Sequence, residues 1–257
     1  MERVEDCSPA REGQGTRIWF LFEDANAFDT EAPGPWPGGK IGRGVCALWR
    51  GFRSSRLWAN IVLMHRDDLL QKLERYRPTD AAEIEHRQQI IEFVTQHEDC
   101  FERSLLVGHM TGAAWLIDEQ HGRALLTHHR KLDKWLQLGG HCDGDSDILR
   151  VALKEAQEES GIDHIESVSA DIFDLDVHPI PARGEVPEHL HYDIRFLCRI
   201  TGDATFTVSD ESHDLAWVTP DEIATMLVGR SITRMCEKWV AWMKTGRLAT
   251  VAGSISH

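Results

Sequence analysis

Glu155, Glu158 and Glu159 stand at i, i+3 and i+4. On a helix that spacing puts the three carboxylates on one face. Like charges so placed repel by about 0.2–0.5 kcal/mol per pair, and a cation relieves them. A hard dication such as Mg2+ takes oxygen ligands and keeps other positions for water and substrate phosphate. A solvated acidic helix face is the plainer reading of three glutamates alone. The flanking residues favour the first. Gly139-Gly140 precede the helix, which is expected over 147–160, and Gly161 suits its C-cap. Leu149, Ala152, Leu153 and Ala156 are expected to form its buried stripe.

The whole run resembles the Nudix box of Nudix (MutT-like) hydrolases, whose pattern is G-x5-E-x7-R-E-U-x-E-E-x-G-U with U apolar. Gly140, Glu155, Ala156, Glu158, Glu159, Gly161 and Ile162 match in register. Ser146 stands where the family has Glu, and Lys154 where it has Arg. Lys keeps the charge but loses the guanidinium fork. Asp145 or Asp147 could pair with Lys154 in place of Ser146. The resemblance covers roughly residues 104–228.

That resemblance implies an α+β fold, a Nudix-type α/β/α sandwich with a mixed sheet. It implies a pyrophosphohydrolase that needs Mg2+ or Mn2+ and cleaves the diphosphate of a nucleoside diphosphate linked to another group. Glu155, Glu158 and Glu159 would bind metal, with the Gly139 carbonyl as a further ligand. Glu158 or Glu155 would act as general base, and Glu211 in the late loop would be another base or a metal ligand, or a plain exposed acid. Pro179 lies near the offset at which ADP-sugar hydrolases often carry a proline, so ADP-ribose-like compounds are the first expectation. Nucleoside triphosphates and dinucleoside polyphosphates stay open. The alternative is a catalytically weak nucleotide-binding or regulatory module on the same fold, which Ser146 and Lys154 keep in view.

A second set of residues is rich in imidazole. His189 and His191 alternate, so on a strand they share a face. With His178 or His141 they could bind zinc, or contact substrate phosphates, or be plain surface histidines. Arg183 and Arg195 suit phosphate, because guanidinium geometry matches it. The expected substrate contacts are therefore His141, Arg183, His191 and Arg195.

The elements that must position these groups read as follows. Residues 1–63 form a Gly- and Pro-rich extension, expected to be poorly ordered. Residues 64–103 form a helical hairpin, with one helix at Asp67–Tyr76 and a second capped by Thr79 with Glu83 just inside. Residues 104–257 form the main domain. Strands are expected at 104–118, 123–128, 166–177, 192–201 and 213–218, with a glycine-rich loop at 139–144. A last helix at 231–244 groups Ile232, Met235, Cys236, Trp239, Val240 and Met243 on one face. That face is expected in the core, with a homodimer surface as the alternative.

Composition bounds the rest. The chain has 257 residues and a formal net charge of −14. Through residue 60, eight basic residues balance eight acidic ones, so the excess lies beyond. An acidic chain gains no counterion release from a phosphate backbone, which disfavours a general nucleic-acid binder. The longest apolar stretch, around Leu57–Met64, is too short to span a bilayer. The six cysteines form no C-x-x-C pair, so reduced thiols and a cytoplasmic setting are expected.

Overall fold

The computed structural model describes residues 55–130, 132–209 and 212–246, with side chains from residue 65 onward. All of them belong to one unit, Arg53–His257. Glu211 and most of the 1–63 extension lie outside the described residues.

Two helices come first: α1 (Ser55–Arg75) and α2 (Ala81–Gln96). The first is longer than the sequence reading, since nothing between Ser55 and Arg75 breaks a helix. Asp80, not Thr79, caps α2 by accepting from the Glu83 amide at 2.9 Å. Thr79 instead donates its amide and hydroxyl to the Glu83 carboxylate.

An eight-stranded mixed sheet follows. Its strands are β1 (Gly108–Asp118), β2 (Arg123–His129), β3 (Lys134–Leu136), β4 (Leu138–His141), β5 (Ile165–Ser167), β6 (Asp174–Ile180), β7 (His189–Ile200) and β8 (Ser212–Val218). Helix α3 (Ile148–Ser160) lies between β4 and β5, and α4 (Pro220–Ile223) and α5 (Arg230–Thr245) close the described chain. Strand β1 is central. It runs parallel to β7 on one side and antiparallel to β4 and β2 on the other. The outer pairs, β6 with β7 and β8 with β2, are antiparallel.

The alternation of β1 builds two cores. Met110, Ala114 and Leu116 join α1, α2 and α3 on one face. Trp115 and Ile117 join Ile232, Met235, Cys236 and Trp239 of α5 on the other. The result is the expected layered α/β/α arrangement. Of the face foreseen for α5, Ile232, Met235, Cys236 and Trp239 are core and Val240 is partly packed, with Trp242 beside it, but Met243 is exposed.

Two expectations need correction. The glycines at 139 and 140 sit in a strand: Gly139 pairs with Ala113 and Gly140 with Gly112. The missing side chains clear space for what packs on them. A Cβ on Gly112 would strike the Ile148 carbonyl and side chain at 2.9 Å, so α3 rests directly on β1. The buried stripe of α3 is also turned from the one expected. Ile148, Val151, Ala152 and Ala156 are buried, while Leu149 and Leu153 are only partly so. The turn brings Glu155 and Glu159 toward β4.

Candidate active site

The helix that carries the glutamates is well delimited. Asp147 caps its start by accepting from the Arg150 amide. Gly161 ends it at φ 69° and donates to the Gln157 carbonyl at 2.8 Å. Near the second end, the Glu159 carboxylate is buried and accepts from the Gly139 amide at 3.3 Å. The Glu155 carboxylate lies against Gly140, in the space that a Cβ would fill. Glu158, one turn on, is exposed. Helix and strand are thus tied at Gly139-Gly140 by two of the three glutamates.

Lys154 fills the gap between the other pair. Its Nζ lies 3.2 Å from Glu155 and 3.2 Å from Glu158. Hydrogen bonds to Glu158 and Glu155 raise its pKa. A tethered cation therefore relieves the repulsion along the helix face. Neither Asp145 nor Asp147 meets it, against expectation. Asp145 binds Arg150 at 2.5 Å, and Asp147 is occupied with the cap. Oxygen donors that already hold one cation suit a hard dication, and the cradle at Gly140 fixes one of them.

The expected substrate contacts separate into three groups. His141 and His191 come together, with ring centroids 5.0 Å apart. Arg183 sits on the exposed turn between β6 and β7, where its backbone pairs with Val186. Arg195 does not face solvent at all: it is 2% exposed. Its guanidinium binds Asp193 at 2.7 Å, Asp174 at 2.9 Å and Asp176 at 3.0 Å. Buried, with each guanidinium nitrogen bonded to a carboxylate, it is out of reach of a phosphate, contrary to the sequence reading.

That pairing belongs to a buried ionic network. Asp174 also accepts from Arg234 at 2.8 Å and from Lys238 at 2.7 Å. Lys238 reaches on to Glu83, which also accepts from Tyr76. The network pins α2 and α5 to β6 and β7. Burial alone would raise the Asp174 pKa, but hydrogen bonds from Arg234 and the charges of Lys238 and Arg195 hold it at about 2.

The histidines gather around one residue that the sequence reading missed. His109 is buried on β1, in register with His191 of β7. Its ring lies 4.9 Å from those of His189 and His191 and 5.0 Å from that of His141. A lone polar residue near the start of an apolar strand was the signal available. Burial favours the neutral form of three of these rings, and the Arg103 guanidinium adds to it at His109 and His141. The pKa of His141 is held at about 4 and that of His191 at about 2, and that of His109 is lowered.

A family model described as NUDIX domain matches residues 108–235. Solved structures of related arrangement include an Ap4A hydrolase from C. elegans, at 16% identity and TM-score 0.44 over 52% of this chain and 97% of that one. A MutT protein from Methanosarcina mazei Go1 matches at 20% identity and TM-score 0.42, over 52% of this chain and 94% of that one. A bifunctional NMN adenylyltransferase/ADP ribose pyrophosphatase from Francisella tularensis matches at 15% identity and TM-score 0.32, over 69% of this chain and 42% of that one. A search of curated proteins finds no match. The domain match covers β1 through the first turns of α5, and so the glutamates, the histidines and most of the buried network.

Proposed function

Because the chain belongs to the Nudix hydrolase family through residues 108–235, we propose that it hydrolyses the diphosphate bond of a nucleoside diphosphate linked to another group, with Mg2+ or Mn2+ held by Glu155, Glu158 and Glu159. The observation that carries this reading is the seating of Glu155 on Gly140 with Lys154 between it and Glu158. It is a built place for positive charge on an otherwise acidic edge. The Gly139 carbonyl is a further candidate ligand.

Divalent metal there would orient and acidify water and neutralise charge on the phosphates. The chain's own groups do the rest. Glu159, buried against the Gly139 amide, fixes the helix end relative to the strand. Glu155, seated against Gly140, is directed to the strand and suits a metal ligand. Glu158 is exposed and can turn, so it is the better placed of the two to take a proton from attacking water. Were these carboxylates to hold a dication, Lys154 would give up its place between Glu155 and Glu158, and its ammonium could meet a phosphate oxygen.

His141 and Arg183 remain accessible to a ligand and are the proposed substrate contacts. ADP-ribose-like compounds are the first substrates to try. No described helix is long and apolar enough to cross a membrane. Cys100, Cys142, Cys198 and Cys236 are free and buried, which fits the cytoplasmic setting we propose.

The test is a panel of nucleoside-diphosphate derivatives incubated with Mg2+, Mn2+ or chelator. Metal-dependent release of a nucleoside phosphate supports the reading. Nucleotide binding without turnover for any compound, in either metal, would point to the non-catalytic module instead.

A further inference from the structure

The face of the sheet turned away from α3 changes character along its length. Gly112 and Gly140 point toward α3. By strand alternation, His109, Thr111 and His141 point the other way. The register of β1 with β7 sets His191, Asp193 and Arg195 beside them on that same face. At one end, α5 covers this face with apolar groups. In the middle, Thr111 donates to Asp193, and each guanidinium nitrogen of Arg195 meets a carboxylate. At the other end four imidazoles gather, His109, His141, His189 and His191, with His178 directly across from His191 and Ile180 across from His189 on β6.

Three of these converge. One ring nitrogen each from His109, His189 and His191 lies within 4.8 Å of the other two. Among the described residues this is the one group of His, Cys, Asp or Glu side chains so arranged. The Nε2 atoms of His109 and His191 are 3.2 Å apart. Two nitrogens bound to one tetrahedral zinc at about 2.0–2.1 Å stand about 3.3–3.4 Å apart. The spacing is that of two vertices of a coordination tetrahedron. His189 is prepared for the same role. Its Nδ1 is 2.9 Å from the Pro187 carbonyl. A carbonyl only accepts, so Nδ1 carries the proton and Nε2 keeps a bare lone pair. A backbone acceptor on the far nitrogen is the usual support of a metal-binding imidazole.

We propose that His109, His189 and His191 form a site for a transition-metal dication of the zinc class, with the fourth position open toward His141. The nitrogen-only donor set separates it from the oxygen site on α3, which suits Mg2+. Strand alternation separates the two in space as well. Gly140, which cradles Glu155, and His141 point to opposite faces of β4. This site does not rest on the glutamate reading. Three protein nitrogens with an open fourth position could hold a water or a substrate oxygen.

The experiment is a titration of full-length protein, first stripped with chelator, with Co2+ alone. Low-coordinate cobalt on nitrogen ligands absorbs visibly, and Zn2+ should bleach it. Binding of one equivalent is expected, unchanged by excess Mg2+ and unchanged in Glu155→Gln and Glu158→Gln. His189→Ala, a half-buried position whose side-chain hydrogen bond is to a backbone carbonyl, should lower the affinity more than about tenfold while circular dichroism stays that of the wild type. His191→Gln serves as the second variant if His189→Ala does not fold. Absence of the cobalt band, or its loss in the glutamate variants and not in the histidine variants, would overturn the proposal. Hydrolysis in Mg2+ is read separately, so either site can fail without the other.

Discussion

Lys154 and Glu158 stand one helical turn apart on α3, with ammonium and carboxylate 3.2 Å from each other. The same ammonium holds Glu155 at an equal distance. A dication and Lys154 therefore compete for the same oxygens. An exposed pair at this spacing contributes about 0.3–0.5 kcal/mol. Lys154→Met should lower the Mn2+ concentration for half-saturation by about twofold, as read by the resonance signal of free Mn2+. Unchanged or weaker binding would mean that Lys154 supports the ligands instead of competing with metal.

Gly140 and Gly112 are both closely packed, but against different things. A Cβ on Gly140 meets the end of the Glu155 side chain, which can swing aside. A Cβ on Gly112 meets the backbone of Ile148, which cannot. Gly140→Ala should therefore keep its melting temperature within a few degrees and lose most activity. Gly112→Ala should lose about 1–3 kcal/mol of stability, as overpacking does. Thermal melts and turnover of the two purified variants test the contrast. Equal loss of stability in both would contradict it.

Lys238 neutralises Glu83 and Asp174, neither of which touches solvent. Removing one partner of such a set strands buried charge and costs about 3–5 kcal/mol. Lys238→Met should shift the urea midpoint accordingly. A shift of under about 1 kcal/mol, as for an exposed pair, would show that water reaches these groups.

The same network sets an acid limit. The Asp174 carboxyl is held at about 2, against about 3.9 in an unfolded chain. A depressed carboxylate stabilises the fold above its unfolded value. That contribution is lost as pH falls from about 4 through about 2. Unfolding free energy should thus decline over that window. A profile that stays flat there would contradict an ionised Asp174.

What the sequence reveals follows the range of the interaction. The glutamate face, the Gly161 cap and the α5 stripe are set by neighbours within a turn or two, and all were legible. Gly139-Gly140 misled because glycine marks both loops and close approach, and only the partner across the gap distinguishes them. Arg195 was read as a phosphate contact because its three carboxylates lie on two strands that no local pattern pairs. His109 escaped notice for a similar reason. It is 82 positions from His191, and only the parallel register of β1 with β7 makes them neighbours.

The most direct test of metal-dependent hydrolysis at the α3 glutamates is a comparison of wild type with Glu158→Gln on the best substrate of the panel. Glutamine preserves size and exposure but neither binds metal well nor accepts a proton. The expected result is a turnover loss of about a hundredfold or more with an unchanged melting temperature, and no wild-type turnover once chelator is added. Wild-type rates in Glu158→Gln, or turnover that survives the chelator, would contradict the assignment.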